Sequence, residues 1–297
     1  MVDTGERHAS MTGRILVCGA TGQVGRRVFE QLGEHGVPRR GMSRAAPASD
    51  EWVRADFEDP ASLPAALDGV DRVFLACGDR PAQDRLEGAL IEACRTAGIE
   101  HVVKLSAQSA GLSPPVSFGR LHRRTEQVLA AAVPGATVLR PVFFMQSLAF
   151  FADDIRKGRL IAPTGAGRVA LVDADDVADV AVQALLHPDR HRGAVHTLTG
   201  PRAWSFSEIV AEIGEAAGRR IRHISPPAML ARLVLPFVSG MPRWQSNLAV
   251  ELMAAIARGA QADVSDTISE ICGRPPGTLP AWLAAHAESF TAPPPDR

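Results

Sequence analysis

Three glycines near the start of the chain have the spacing of a phosphate-binding loop. Gly19, Gly22 and Gly25 form G-x-x-G-x-x-G within ILVCGATGQVGRRVFEQL. The first glycine allows a sharp turn after a strand, the second lets a pyrophosphate approach the backbone, and the third lets a helix pack close to the sheet. Unpaired N–H groups at the start of that helix attract the anion. A glycine turn without a ligand is the alternative. The pattern predicts a dinucleotide-binding loop whose contacts are expected from Gly19, Thr21, Gly22, Gln23, Val24 and Gly25.

The second predicted strand ends in GMSRAAP, where Ser43 and Arg44 stand and no acidic residue follows. Enzymes that use NAD commonly have an acid here to bind the ribose 2′-hydroxyl, whereas a guanidinium favours the 2′-phosphate of NADP. Arg39 and Arg40 lie nearby, and alternation along the strand turns one of them away. The sequence therefore predicts NADP(H) as cofactor, with a solvated surface arginine as the alternative for Arg44.

Further segments that follow predicted strands are expected to line the same cofactor. The carboxyl ends of parallel strands meet at one edge of a sheet, which is where dinucleotides bind. The expected contributions are Asp56 and Phe57 at the adenine, Ala76, Cys77 and Gly78 under the adenine ribose, Ser106 beside the nicotinamide, and Pro141, Val142 and Phe143 along it.

Strand and helix signals alternate along most of the chain, and these elements must position the segments above. Buried apolar runs such as Ile15–Cys18 and Val37–Met42 are followed by helical patterns such as Gly25–Gly36. This alternation predicts parallel βαβ units in a doubly wound, Rossmann-type α/β sheet. Two later helices are expected to be capped by Asp175 or Asp176 and by Ser207.

The pattern loosens after Pro141 and predicts a smaller C-terminal substrate region. Residues 1–10 are expected to form a disordered tail, 11–200 a dinucleotide-binding Rossmann domain, and 201–297 a mainly helical substrate or lid region. Part of 144–170 is expected to contribute to the substrate pocket. Residues 226–259 are apolar and interrupted by proline, methionine and tryptophan, which predicts helices that close over a pocket.

Composition narrows the class of protein. The 297 residues carry a net charge of −1, so no global field favours a nucleic-acid partner. No apolar run reaches the roughly 18 residues of a membrane span, and the first ten residues lack the apolar core of a signal peptide. A cytoplasmic protein with reduced cysteines is therefore expected. No metal is expected, because metal-site spacing is absent from Cys18, Cys77, Cys94, Cys272, His187, His191 and His196.

Several stretches together resemble one family: GATGQVG, VKLSA, LRPVFFMQSL, LVDADDVADVAV and HTLTGPRAWSFSEIVAEIGEAAGR. They are similar to the atypical short-chain dehydrogenases/reductases of the NmrA-like branch, and the resemblance runs from Ile15 to about Arg220. It implies a Rossmann domain with a smaller C-terminal substrate domain, and NADP(H) as cofactor. The branch includes quinone reductases, iminium and isoflavone-type reductases, polyketide ketoreductases, and regulators that only sense the dinucleotide.

The resemblance also implies an unusual active site, because the wider superfamily carries Tyr-x-x-x-Lys on the helix after the fifth strand. The matching positions here are Phe118 and His122, and the chain contains no tyrosine. An alkoxide formed by hydride transfer then needs another proton source: Ser106, Ser109 or His122, a water, or a hydroxyl of the substrate itself. His122 is also expected to bind the nicotinamide ribose and could relay a proton. The alternatives are a Ser106 that satisfies the strand end and an exposed His122 paired with Glu126.

Two classes of function remain, an enzyme and a dinucleotide sensor. The missing tyrosine favours the sensor, whereas the apolar segment 226–259 favours an enzyme with a large, flat, apolar substrate. The leading interpretation is an NADPH-dependent ketoreductase acting on a polycyclic aromatic polyketide-type carbonyl, similar to the angucyclinone (simocyclinone-type) tailoring ketoreductases. A quinone or iminium reductase and a non-catalytic NADP-sensing regulator are the alternatives. The substrate pocket is expected to include Gln108, Phe118, Phe144 and Met145, with core packing as the alternative for Phe143, Phe144 and Met145.

Overall fold

A seven-stranded parallel sheet forms the centre of the structure, a computed structural model that describes residues 13–47, 49–238 and 242–291. The expected tail at residues 1–10 lies outside the described residues. The strands of the sheet alternate with helices along the chain, as the sequence predicts, and their order is β3-β2-β1-β4-β5-β6-β9. The strands of the whole chain are β1 Arg14–Val17, β2 Arg39–Ser43, β3 Trp52–Arg54, β4 Val70–Leu75, β5 His101–Leu105, β6 Thr137–Pro141, β7 Arg159–Ile161, β8 Arg168–Val169, β9 Val195–Leu198, β10 Trp204–Ser205 and β11 Arg222–Ile224.

Helices cover both faces of this sheet. The described helices are α1 Gln23–Glu34, α2 Leu63–Leu67, α3 Gln83–Ala97, α4 Ser117–Ala132, α5 Ala152–Arg156, α6 Ala174–Leu186, α7 Pro188–His191, α8 Phe206–Ala216, α9 Ala228–Val238, α10 Arg243–Ala257, α11 Thr267–Cys272, α12 Leu279–His286 and α13 Glu288–Thr291. Helices α1 and α6 bury their apolar residues on one face of the sheet, and α2, α3 and α4 bury theirs on the other. The apolar spacing of α1, with Val24, Val28 and Leu32 buried, explains why this segment is helical and which side faces the sheet.

A second hydrophobic core lies outside the central sheet. Two stretches of chain build it, 145–171 and 204–290, and its members include Leu148, Phe206, Ile256 and Trp282. The short pairs β8–β10 and β7–β11 join these two stretches. Residues from the range 144–170 therefore pack with the C-terminal helices rather than only with the sheet.

Two predicted helix caps are wrong, by two or three residues at α6 and by two residues at α8. Asp173, in an extended conformation, accepts a hydrogen bond from the Asp175 backbone N–H and caps α6. Ser205 caps α8 in a capping box with Glu208, so Ser207 lies inside the helix. In both cases an earlier polar residue is the last one with an extended backbone before the helix begins. That backbone position, and not the residue type alone, determines which side chain caps the helix.

The apolar segment 226–259 contains two helices with different environments. Helix α10 is anchored, because Val250, Met253 and Ile256 are buried. Helix α9 instead exposes Met229 and Leu233, which are 79% and 65% accessible. No described helix is long and apolar enough to cross a membrane. We therefore restrict the predicted lid to α9. Its exposed apolar side chains offer a surface that a ligand could cover.

We expect hydrogen exchange at residues 228–238 to slow when the protein is saturated with NADPH and a polycyclic aromatic ligand of the expected class. The reason is that ligand contact would remove the exposed side chains of α9 from water and order the helix. Exchange in α12, which belongs to the second core, provides the internal control and should not change. Mass-spectrometric exchange that is equal in α9 with and without ligands would contradict a lid.

Candidate nucleotide and reductase site

The carboxyl ends of β1, β4, β5 and β6 lie side by side at one edge of the sheet. The strand order reverses between β1 and β4, which is the switch point where a doubly wound sheet leaves a crevice for a ligand. The segments that the sequence places around a dinucleotide follow these strands and their neighbours β2 and β3. The topology thus brings the predicted cofactor residues to one edge.

The glycine loop after β1 has the shape of a pyrophosphate cradle. Gly19 has a φ of +69°, a conformation that favours glycine, and a Cβ on Gly25 would lie 2.2 Å from the Gly19 carbonyl oxygen. Gly22 is the N-cap of α1, and no side chain caps this helix. Thr21, Gly22 and Gln23 are exposed at the mouth of the loop, whereas Val24 is buried beneath it. The first-turn N–H groups can therefore donate hydrogen bonds to an anion, and the residues present fit a dinucleotide.

The structure gives different environments to the three arginines in and just after β2. Arg39 forms an ion pair with Glu51 at 3.2 Å and lies over the Phe29 ring at 4.5 Å. Arg40 donates to two backbone carbonyl oxygens beyond the strand. Arg44 is exposed and has no hydrogen-bond or ion-pair partner within the described part of the chain. Arg44 is thus the guanidinium free to meet a phosphate.

The remaining predicted cofactor segments lie in the loops that follow the strands. Asp56 is half-buried and accepts a hydrogen bond from the Glu58 backbone N–H at 3.0 Å, while Phe57 packs against the core on one side. Ala76 is buried, Cys77 half-buried and Gly78 exposed, and burial raises the pKa of the Cys77 thiol to about 11. Beyond β6 the backbone passes from buried Pro141 and Val142 to half-buried Phe143.

Helix α4 carries Phe118 and His122 and packs closely against the turn Gln108–Gly111. A Cβ on Gly119 would lie 2.1 Å from the Ser109 carbonyl oxygen, so a glycine is required at this approach. The two rings of Phe118 and His122 meet edge to face, with centroids 4.3 Å apart. The helix thus presents, at the Tyr and Lys positions of the resemblance, an aromatic ring without a hydroxyl beside an imidazole.

His122 differs from the exposed alternative that the sequence left open. It is 4% accessible, and its Nδ1 is buried without a hydrogen-bond partner. Burial, and secondarily the charge of Lys104, hold the pKa of His122 well below its usual value. The predicted pairing with Glu126 does not form, because Glu126 binds Arg140 and Ser106 instead. A neutral imidazole remains, which is a weak acid near neutral pH.

Ser106, Glu126 and Arg140 form a hydrogen-bonded group across β5, α4 and β6. Arg140 donates from Nε and Nη2 to the two Glu126 carboxylate oxygens at 3.0 and 2.5 Å. Ser106 donates its hydroxyl to Glu126 Oε1 at 2.5 Å. The hydroxyl that the sequence predicts beside the nicotinamide therefore has its proton engaged by Glu126.

A buried ion pair behind the site was missed from the sequence. Lys104 on β5 and Glu87 on α3 have no accessible side-chain surface, and Lys104 Nζ lies 2.8 Å from Glu87 Oε2. Lys104 also donates to the Leu105 carbonyl oxygen. The available signal was a lysine inside the apolar strand HVVKL, because a fully buried lysine requires a charged partner.

The predicted pocket residues have different environments. Gln108 donates to the Ala260 carbonyl oxygen at 2.9 Å, and its own side-chain oxygen is buried without a partner. Phe144 is half-buried against the first core, and Met145 is fully buried in the second. Met145 thus has the packing environment that the sequence left as an alternative, whereas Gln108 connects the site to the end of α10.

A second contact between α10 and the site was also missed. Glu251 on α10 accepts hydrogen bonds from the Ser117 backbone N–H at 2.7 Å and from the Ser117 hydroxyl at 2.9 Å. These bonds satisfy the start of α4, whose own N-cap residue, Val116, offers no side-chain cap. Glu251 thus fixes α10 to the helix that carries Phe118.

The fold and this strand-edge site define a Rossmann-type atypical short-chain reductase of the NmrA-like kind. The sequence profile described as NAD(P)H-binding matches residues 19–188, and the chain belongs to this family. The chain is 36% identical over 286 residues to the NAD(P)H azoreductase of Xenophilus azovorans, with 94% of this chain and 99% of the relative covered. It is 28% identical to quinone oxidoreductase 2 of Escherichia coli, over 89% of this chain and 96% of the relative.

Solved structures agree with this assignment. The NADPH complex of the Escherichia coli quinone oxidoreductase QOR2 superposes with a TM-score of 0.83 at 26% identity, covering 92% of this chain and 99% of that one. The Citrobacter triphenylmethane reductase with NADP(H) has a TM-score of 0.76 at 21% identity, over 92% and 99% of the two chains, and shows the same fold. The protein is an NAD(P)H-dependent oxidoreductase that acts on small molecules.

We predict that Arg44→Ala weakens NADPH binding by about tenfold or more while NADH binding changes little. A charge-assisted hydrogen bond to the 2′-phosphate, worth roughly 1.5–3 kcal/mol, is available only to the phosphorylated cofactor. Fluorescence titration of both cofactors measures the effect. Arg95→Ala, on an exposed pair at the far end of α3, is the matched control. An equal loss for both cofactors would remove Arg44 from the 2′-phosphate site.

We predict that Glu251→Ala raises the KM for a quinone by about three- to tenfold, because one net hydrogen bond is worth roughly 0.5–1.5 kcal/mol. Helix α10 loses its attachment to α4, whereas the glycine loop is untouched, so the Kd for NADPH should stay constant. Glu251→Gln retains an acceptor oxygen and should recover most of the difference. A Kd for NADPH that weakens in parallel with KM would indicate a general structural role instead.

Proposed function

We propose that this protein catalyses NADPH-dependent reduction of conjugated aromatic electrophiles, with quinones as the leading class, and that it does so without a side-chain acid. The observation that carries the proposal is the state of Phe118, Ser106 and His122, three of the residues expected near the hydride-transfer position. Phe118 has no hydroxyl, the Ser106 hydroxyl is donated to Glu126, and His122 is neutral and desolvated.

Substrate chemistry explains how a reductase can operate with such a site. The bound cofactor supplies a hydride. A simple ketone that accepts hydride concentrates the negative charge on one oxygen, and the loss of one oxyanion donor costs about 2.7–4 kcal/mol. A quinone delocalises the charge through its ring to a second oxygen, which water can protonate. A site without an acid is therefore far better suited to a quinone than to an isolated ketone.

The chain's own groups supply binding and orientation in this proposal. The glycine loop and Arg44 hold the two phosphate-bearing parts of the cofactor. Phe118, fixed by the close approach of Gly119 to Ser109, offers an apolar ring edge to an aromatic substrate. The names of two relatives, an azoreductase and a quinone oxidoreductase, support conjugated electrophiles as the substrate class.

A polycyclic aromatic polyketide-type ketone is the second candidate. The exposed apolar face of α9 favours it, because a large flat ring system would cover that surface. In this case a hydroxyl beside the substrate carbonyl stabilises the alkoxide in place of the missing tyrosine. A sensor that binds NADPH without oxidising it would be a third outcome of the same assay.

The decisive experiment is a substrate panel followed by NADPH absorbance. We expect a naphthoquinone to react at least about a thousandfold faster than an aromatic ketone without a neighbouring hydroxyl, a difference of roughly 4 kcal/mol. An ortho-hydroxy ketone and its methyl ether complete the panel. A rapid reaction of only the hydroxy ketone would favour the second candidate, and tight NADPH binding with no oxidation would favour the sensor.

The histidine provides a separate arm of this test. Because burial keeps His122 neutral, His122→Gln should change kcat for the quinone by no more than about threefold. No ionisation of His122 should affect kcat between about pH 6.5 and 8, since its pKa lies below its usual value. A loss of about a thousandfold, together with a new pH dependence, would identify the histidine as the acid.

A further inference from the structure

Ser106 has both of its hydrogen-bond donors committed to the protein. Its hydroxyl donates to Glu126 Oε1 at 2.5 Å, and its backbone N–H donates to the Leu139 carbonyl oxygen at 2.8 Å. The hydroxyl oxygen retains lone pairs, and the structure gives it no donor in return from the described residues. Toward a ligand the side chain is therefore a hydrogen-bond acceptor only.

The direction of this hydroxyl is set by charge. Arg140 donates two bonds to the two oxygens of the Glu126 carboxylate, which is the bidentate geometry of a guanidinium–carboxylate ion pair. An ionised carboxylate can only accept, and the proton in the short contact belongs to Ser106. Rotating the hydroxyl toward a ligand would leave a carboxylate oxygen with one donor fewer in a site where Glu126 is 9% accessible.

Because Ser106 is buried, its acceptor-only hydroxyl discriminates between ligand groups that donate a hydrogen bond and those that do not. Ser106 is 4% accessible and directly follows β5, between the ends of β4 and β6. A ligand atom that reaches its oxygen is desolvated, so an N–H or O–H gains a hydrogen bond there. A ligand atom that is itself a hydrogen-bond acceptor would face the lone pairs of Ser106 with no water between them. Both groups would then be buried without a hydrogen bond, which costs free energy.

We infer that Ser106, held by Glu126 and Arg140, is a specificity-determining acceptor that favours substrates carrying an N–H or O–H donor next to the bond that is reduced. The inference rests on the proposed function and names the substrate class within it: amino- or hydroxy-substituted conjugated aromatics rather than alkylated or unsubstituted ones. Glu126 and Arg140 are positioning residues, because they act through the hydroxyl.

The test compares 2-amino-1,4-naphthoquinone with its 2-dimethylamino counterpart. A primary amino group can donate one hydrogen to its own carbonyl and still offer the second to Ser106, whereas the dimethylamino group has none. The measured quantity is the ratio of kcat/KM for the two quinones, in wild type and variants. Intrinsic differences in reactivity cancel when this ratio is compared between proteins.

We expect Ser106→Ala to lower the wild-type ratio by about three- to tenfold, the loss of one hydrogen bond. Thr125→Val is the matched control, because it removes a buried hydroxyl of α4 that bonds only to the Leu121 carbonyl oxygen. Its ratio should equal that of wild type. In Glu126→Gln the new amide can donate to Ser106 and release its hydroxyl proton, so the ratio should fall at least as far as in Ser106→Ala.

Other outcomes have distinct meanings. If Ser106→Ala leaves the ratio unchanged, the inference is overturned, and a simultaneous loss of NADPH affinity would assign the acceptor to the cofactor. If wild type reduces neither quinone, the proposed function fails. The inference is then judged from the binding of the two quinones to the NADPH complex by fluorescence quenching, where equal affinities in wild type would reject it. If Glu126→Gln does not fold, Ser106→Ala and Thr125→Val decide alone.

Discussion

The ion pair between Arg140 and Glu126 is the contact on which the geometry of the strand edge depends. It joins β6 to α4, and through the hydroxyl of Ser106 it also joins both to the end of β5. Two charge-assisted bonds hold the carboxylate in one orientation, which in turn fixes the direction of the serine proton. A single pair thus positions the helix that carries Phe118 and determines which polar group is left for a ligand.

Desolvation accounts for the chemistry that this edge lacks. Lys104 and Glu87 are fully buried and form an ion pair, and the charge of Lys104 acts together with burial to hold the pKa of His122 below its usual value. Ser106, Glu126, Arg140 and Lys104 are thus paired within the protein, and His122 is neutral. In the function proposed above, a site of this kind binds and orients the two reactants, and the substrate carries the charge that hydride transfer creates.

The glycine loop and helix α10 belong to different hydrophobic cores. The sheet and its flanking helices form the glycine loop, whose close contacts exclude any side chain larger than hydrogen at Gly25. The second core brings α10 against α4 through Glu251 and against the 108–111 turn through Gln108.

The sequence by itself determined the parallel sheet, the glycine loop and the absence of a tyrosine acid, since periodicity, residue type and composition are local properties. It selected Arg44 for the 2′-phosphate, but the engagement of Arg39 and Arg40 by other groups could not be predicted, because it depends on Glu51, Phe29 and distant carbonyl groups. Only the tertiary structure decided that Ser106 donates to Glu126 and that His122 is buried rather than exposed. Both facts depend on which side chains from β5, α3, α4 and β6 are buried against one another. These elements are far apart in the sequence, so no single segment predicts the burial or the pairing.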